Sequence, residues 1–264
     1  MLNLKNKIVI VTGGTGLLGK KYSEELAKEE AVVIIADLEQ TKPKKIANQL
    51  SKKTNNNIFG YEVDLTIEKE VVEFIGKIHK KYGRIDVVIN NAAATGEYLM
   101  REGEVFNNFE DSSLDIWEKT LKVNLTGSYL MAREAGKVML QKNSGSIINI
   151  SSIYGNVGPD HRIYSDMPFN SPPGYAASKA GIHGLTRWLA TYWGKNGIRV
   201  NTVVLGGVEN NHDSEFIKRY SERTPLGRMG KPDDMVGIIL FLSSNLSSYA
   251  TGQKFFVDGG WTAI

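Results

Sequence analysis

Short runs of valine and isoleucine recur from one end of the chain to the other, spaced by longer amphipathic stretches, and this alternation narrows the possible folds most. Runs at 8–11, 32–36, 58–61, 87–89, 146–150, 199–203 and 254–257 read as strands. They barely alternate apolar with polar residues, as strands covered on both faces should. Stretches such as 68–81, 114–140 and 175–193 are long enough to be crossover helices. Strand and helix in turn imply an α/β, doubly wound fold: a mainly parallel, seven-stranded sheet with helices on both faces. The 264 residues, 41% of them hydrophobic, suffice for one folding unit over 1–264.

Two stretches break the rhythm: 94–113, and 156–173 with Pro159, Pro168, Pro172 and Pro173. Their glycines and prolines disfavour regular structure, so both are expected to be loops inserted near a substrate. The basic and acidic residues nearly balance, at 32 and 29, and are scattered, which argues against a nucleic-acid or membrane partner. The densest cations, Lys42, Lys44, Lys45, Lys52 and Lys53, fall where a solvated helix is expected. Without cysteine there is neither a disulfide framework nor a thiolate metal site. His79, His161, His183 and His212 show no paired ligand spacing, so no metal is expected. The N-terminal residues lack a signal-peptide pattern, and no window approaches the roughly 20 apolar residues of a membrane span. The expectation is a soluble, cytoplasmic protein acting on a small molecule.

The first strand runs directly into Gly13-Gly14-Thr15-Gly16-Leu17-Leu18-Gly19, with a helical pattern following. Glycines let backbone N–H groups approach a pyrophosphate, which the helix N-terminus then stabilises. Asp37 ends the second strand, about two dozen residues on, where a carboxylate can accept hydrogen bonds from ribose hydroxyls. An anion there repels a 2′-phosphate, and neither Thr15, Leu38 nor Glu39 supplies a cation. NAD is therefore expected over NADP.

Tyr175 and Lys179 are four apart at the start of a helical run, so they rise from one face. A phenol ionises near pH 10, and a neighbouring ammonium favours its anion. Such a tyrosine can exchange a proton with a substrate oxygen while hydride moves at carbon. Ser152 ends a buried strand upstream, at the sheet edge where ligands bind in open α/β folds. It is equally readable as a cap of the next segment. Asn90, Asn91, Ala92 and Ala93 follow the fourth strand, and Asn124 lies inside an otherwise helical segment.

Together these residues resemble the short-chain dehydrogenase/reductase family, over nearly the whole chain. The resemblance implies a Rossmann-type fold and an NAD-dependent oxidoreductase moving hydride between nicotinamide and a secondary alcohol or ketone. It implies Tyr175 as acid/base and cofactor contact, Lys179 as ribose binder and pKa modifier, Ser152 as partner of the substrate oxygen and Asn124 as proton-relay helper. Asp64 and Leu65 resemble the adenine contact, and Asn91, Ala92 and Ala93 the motif beside the cofactor. Gly206 and Val208 resemble the loop that flanks nicotinamide. Pro225-Leu226-Gly227-Arg228 and the stretch from Thr251-Gly252-Gln253 to Asp258-Gly259-Gly260 complete the pattern. The family also implies a homo-oligomer, tetramer or dimer, pairing 114–140 and 175–193; Leu185, Trp188, Leu189 and Trp193 recur there at helical spacing.

Leu17 stands where compact family members place glycine, and the Gly13, Gly16, Gly19 spacing is more similar to the extended, nucleotide-sugar branch. Ala93 replaces a usual glycine and Leu205 a usual proline. Residues 151–155 with Met167, Pro168 and Pro172 are similar to members that serve bacterial surface-sugar and flagellin-glycan synthesis. Two other readings stand beside the dehydrogenase: a catalytically silent NAD-binding scaffold, and a lyase or epimerase using NAD transiently. Net nicotinamide turnover separates both from it.

Overall fold

The computed structural model describes residues 2–101, 109–165, 167 and 170–264. Its strands are β1 (Ile8–Thr12), β2 (Val32–Asp37), β3 (Ile58–Glu62), β4 (Val87–Asn90), β5 (Gly145–Ser152), β6 (Ile198–Leu205) and β7 (Lys254–Val257). They form one seven-stranded sheet in the order β3-β2-β1-β4-β5-β6-β7, and every pairing is parallel. The chain leaves β1 in one direction and returns on its other side as β4. That reversal opens a crevice at the carboxyl ends of the two strands.

The near-continuous apolar runs follow from cover on both faces. Ile8 and Ile10 of β1 enter one core, with Phe74 and Ile78 of α3 (Glu68–Tyr82), Met131 of α6 (Gly127–Leu140) and Leu189 of α7 (Pro173–Trp193). Val9 and Val11 enter the other, with Tyr22 and Leu26 of α1 (Leu17–Lys28), Ala47 of α2 (Pro43–Thr54) and Leu242 of α9 (Val236–Ser243). All five β1 residues are buried. Successive side chains point to opposite faces, so a strand with a core on each side carries apolar residues at consecutive positions.

Both inserted stretches hold more regular structure than their composition predicts. The first contains α4 (Gly96–Arg101), whose Leu99 packs against Ile116 of α5 (Leu114–Leu121); residues 102–108 lie outside the described residues. The second forms a 3-10 turn, His161–Tyr164, opened by the Asp160 carboxylate accepting from Arg162 N; Pro168 lies outside the described residues. Burial of Leu99 and of Ile163 outweighs weak local propensity in each case. The helix expected over 114–140 is interrupted by a π-helical turn, Lys122–Thr126, with Asn124 inside it.

Of the four apolar residues singled out on α7, Leu189 and Trp193 are core, whereas Trp188 is exposed and stacks on exposed Tyr192 at 4.8 Å. No helix among the described residues is long and apolar enough to cross a membrane, and no group of acidic or histidine side chains there could hold a metal ion.

Candidate active site

The turn after β1 is shaped by contacts only glycine permits. Gly13 has φ +61°, and a Cβ on it would sit 2.7 Å from Ala92 Cα. A Cβ on Gly19 would meet the Gly13 carbonyl oxygen at 2.2 Å, so the first turn of α1 lies directly on the loop. Gly16 instead meets nothing closer than 3.3 Å and is exposed, leaving the start of α1 open to a ligand. Asn91 fixes the loop from the next strand, its Nδ2 donating to the carbonyls of Thr12 and Gly13 at 3.0 and 3.1 Å. Thr12 Oγ1 accepts from Asn91 N and Ala92 N.

Asp37 closes this end. Its Oδ2 accepts from Thr15 N at 2.9 Å and Thr15 Oγ1 at 2.6 Å, and its Oδ1 accepts from Leu38 N at 2.9 Å. The carboxylate thus ties β2 to the glycine loop, and Oδ1, with a single protein donor, retains acceptor capacity.

The catalytic candidates converge from three elements. Tyr175 and Lys179 lie in the first turns of α7, where Pro173 fixes the helix start. The Lys179 ammonium is buried, donates to the Ile150 carbonyl of β5 at 2.9 Å and lies 5.5 Å from the centre of the Tyr175 ring. Burial without a paired carboxylate pushes it down to about 8. Ser152 ends β5, and its hydroxyl accepts from Tyr154 N at 3.2 Å, so the serine does cap the following turn. Because that bond uses only acceptor capacity, the Ser152 proton stays available to a ligand oxygen.

Asn124 explains the π-helical turn. Its Oδ1 accepts from Ala94 N at 2.7 Å, and its Nδ2 donates to Ser178 Oγ at 3.0 Å and to the Ala94 carbonyl at 3.3 Å. The side chain therefore joins the loop after β4 to α7, one residue before Lys179. Asn90, by contrast, joins a buried ladder, donating to Asn149 Oδ1 at 2.8 Å, while Asn149 donates to Thr186. His183 is a buried core histidine, 2.9 Å from Ser151 Oγ and pushed down to about 4 by burial and nearby cations.

One cleft of about 1110 Å³ runs past Gly13, Thr15, Gly16, Leu17, Leu18, Asp37, Leu38, Asp64 and Leu65 at one end. It continues past Asn91, Ala92, Ala93, Ser152, Tyr175, Lys179, Gly206 and Val208 at the other. Of the residues given a catalytic role from sequence, Asn124 does not line it; Asn124 sits behind the wall, 1% exposed. The glycine cradle, the acceptor at Asp37 and an ammonium without a carboxylate fit an elongated dinucleotide. Gly206 is held close by the C-terminal motif, since a Cβ there would sit 2.8 Å from Asp258 Cα.

The same cleft is lined by groups that sequence reasoning missed, Lys20, His212, Phe216 and Tyr220, and by Tyr154 and Tyr164, which belong to stretches the sequence had singled out. Phe216 and Tyr220 belong to α8 (Ser214–Arg223), whose position over the cleft depends on a tertiary contact, Tyr220 Oη accepting from Gly207 N at 2.5 Å. A Cβ on Gly207 would lie 2.7 Å from the Tyr220 ring, so the glycine makes room for that contact.

Comparison with known proteins agrees with this arrangement. A family model described as enoyl-(acyl carrier protein) reductase matches residues 16–262. The chain is 33% identical to 3-oxoacyl-(acyl-carrier-protein) reductase FabG of Aquifex aeolicus, over 98% of each chain. It is 30% identical to post-translational flagellin modification protein A of Campylobacter coli, over 98% of this chain and 99% of the other. A solved short-chain dehydrogenase of Leptospira borgpetersenii with bound NAD+ superposes with a TM-score of 0.85 at 36% identity, covering 98% of this chain and 94% of that one. On a match of this extent, carried by one parallel sheet with the cleft at its carboxyl edge, the chain belongs to the short-chain dehydrogenase/reductase family, oxidoreductases that use NAD(P) on CH–OH groups.

Proposed function

We propose that the chain is an NAD-dependent dehydrogenase or reductase for a secondary alcohol or ketone on a hydroxylated, sugar-like substrate. The observation that carries this reading is the meeting of Tyr175, Lys179 and Ser152 in one cleft whose far end closes on the Asp37 carboxylate. Gly13, Gly16 and the N-terminus of α1 would hold the pyrophosphate, Asp37 the adenosine ribose, and Asp64 and Leu65 the adenine. Asn91, Ala92, Ala93, Gly206 and Val208 would flank the nicotinamide half. Bound nicotinamide supplies the hydride acceptor or donor. Ser152 donates to the substrate oxygen, Tyr175 exchanges the proton at that oxygen, and Lys179 holds the nicotinamide ribose while its charge favours the phenolate. Asn124 holds the loop after β4 against Ser178 and so keeps the turn bearing Lys179 in place. The relative named for flagellin modification is in line with a sugar derivative as substrate.

NAD should be preferred over NADP by at least about tenfold in kcat/KM, the effect of roughly 1.4 kcal/mol of charge repulsion and lost ribose bonding. Asp37→Ala should erase that preference, and NAD affinity should fall as well because Thr15 loses its acceptor. Initial rates with both cofactors test this; equal efficiency in the wild-type protein, or an unchanged preference in Asp37→Ala, would contradict it.

The protein is further proposed to be a homo-oligomer, a tetramer formed through the face of α7 that carries Trp188 and Tyr192. Light scattering should give a mass well above the 29.2 kDa of one chain; a 29.2 kDa species alone at micromolar concentration would refute it.

A further inference from the structure

Two buried polar side chains of β5, Asn149 and Ser151, lie two residues apart and so share one face of the strand, the face covered by α7. Each is matched by a polar side chain of that helix. Asn149 donates to Thr186 Oγ1 at 2.9 Å, and Ser151 Oγ lies 2.9 Å from His183 Nε2. His183 stands on the same face of α7 as the catalytic candidates, because Tyr175, Lys179 and His183 follow one another at a spacing of four, about one helical turn each.

The donors and acceptors fix how the Ser151 contact works. Ser151 has one proton, and its hydroxyl donates it to the Lys179 carbonyl at 3.0 Å. Toward His183 the same oxygen is therefore an acceptor, and the proton between the two sits on the imidazole Nε2. Burial, with Lys254 of β7 and Arg187 and Lys179 of α7 adding to it, pushes the ring down to about 4, so it is neutral near pH 7. A neutral ring carries a single proton, and this contact selects the Nε2–H tautomer.

Lys179 is thereby tied to two consecutive residues of β5. Its Nζ donates to the Ile150 carbonyl at 2.9 Å, and its own carbonyl accepts from Ser151. The turn after the strand, Ile153–Gly155, rests on the same point, since a Cβ on Gly155 would lie 2.6 Å from the Lys179 carbonyl carbon. Ser152 stands between these contacts. Its place relative to Tyr175, one turn before Lys179, is set by how β5 lies along α7 at this level. Without the imidazole donor, the Ser151 hydroxyl keeps one bond to α7 in place of two and is freer to turn away from Lys179.

Resting on the reading of the chain as an alcohol dehydrogenase, we infer that Ser151 and His183 are positioning residues, which hold the end of β5 against α7 so that Ser152, Tyr175 and Lys179 keep one reactive geometry. Both act through Ser152 and Lys179, and no proton is transferred through them.

Nuclear magnetic resonance of the protein saturated with NAD tests this, with 15N in the histidine rings and 13C at the tyrosine Cζ. The signals of His183 and Tyr175 are identified by their loss in His183→Gln and Tyr175→Phe. Between about pH 6 and about pH 8 the His183 ring should be neutral, with its proton on Nε2. His183→Leu keeps a side chain of similar bulk and loses the donor, and Ser151→Ala loses the acceptor. In each, the Tyr175 phenol should ionise about half a pH unit or more higher, the scale of one hydrogen bond read as an ionisation shift. Turnover of the best secondary alcohol of a panel, at saturating NAD, should fall about three- to tenfold. His183→Gln, whose amide offers a donor at similar reach, should restore both. A structural role alone would lower the melting temperature and leave the Tyr175 midpoint in place. An Nδ1–H tautomer, an imidazolium at about pH 7, or a Tyr175 midpoint unchanged in both His183→Leu and Ser151→Ala overturns the inference. The two claims separate. Shifted midpoints without nicotinamide reduction by any alcohol would contradict the dehydrogenase reading alone, whereas turnover with unshifted midpoints would contradict the positioning pair alone.

Discussion

Tyr175→Phe is expected to remove turnover by about 10² to 10⁴, the contribution typical of a positioned acid/base group, or about 2.7 to 5.5 kcal/mol of barrier. The deleted oxygen is the atom proposed to exchange a proton with substrate. The ring remains, half-buried in the first turn of α7, so its packing near Lys179 persists and the fold should not change. NAD affinity, measured by titration, should stay within about twofold, because no cofactor bond is assigned to the phenol oxygen alone. Raising the pH should not restore the rate, since phenylalanine has no proton to lose. A variant retaining more than about a tenth of wild-type turnover would lie outside the range for such a group and would place the acid/base elsewhere.

Lys179→Met should lower kcat/KM by about 10² and weaken NAD about tenfold, the latter being the size of one lost charge-assisted hydrogen bond. Methionine keeps the buried stem of the side chain. Loss of the donor to the Ile150 carbonyl is offset by no longer burying an unpaired ammonium, so stability should change little. The pH profile separates this role from a structural one. Burial holds the Lys179 ammonium down to about 8, so the group is charged below about pH 8 and neutral above it. In the wild-type enzyme, alcohol oxidation should rise as the phenol ionises and lose the help of the ammonium as pH passes about 8. In Lys179→Met that loss is absent, and the rate should climb steadily toward the ordinary phenol range near 10. The gap between the two proteins therefore narrows as pH rises. Parallel profiles would assign Lys179 a structural role only.

The placement of these residues was legible in sequence to the extent that local chemistry dictates it. Val9 and Val11 announce a strand covered on both faces, and Gly13 and Gly19 a turn that no Cβ can enter. The spacing of Tyr175 and Lys179 places both on one face of α7 whatever surrounds them. Asn124 was visible only as an oddity within a helix. The π-helical turn that accommodates it depends on Ala94 and Ser178, residues 30 and 54 positions away. α4 escaped notice because burial of Leu99 against Ile116, and not local propensity, specifies it. The meeting of Tyr164 with Tyr154 and Phe216 was hidden for the same reason. Tyr154, Tyr164 and Phe216 meet only because Asp160, Arg223, Arg219 and Ser165 hold the loop to α8. Leu189 and Trp193 differ from Trp188 and Tyr192 by one residue of rotation about α7. A helical period alone did not tell which pair faces the core.

The central claim is that hydride moves between a secondary carbinol carbon and nicotinamide in this cleft, with Tyr175 taking the proton. The most direct test supplies NAD and a panel of secondary alcohols deuterated at the carbinol carbon, with mass spectrometry of the nicotinamide recovered from wild-type protein and from Tyr175→Phe. The account predicts one deuterium in the reduced nicotinamide per ketone formed by the wild-type protein, and next to none from the variant under the same conditions. Ketone formed without deuterium in nicotinamide, or equal label transfer by Tyr175→Phe, would contradict it.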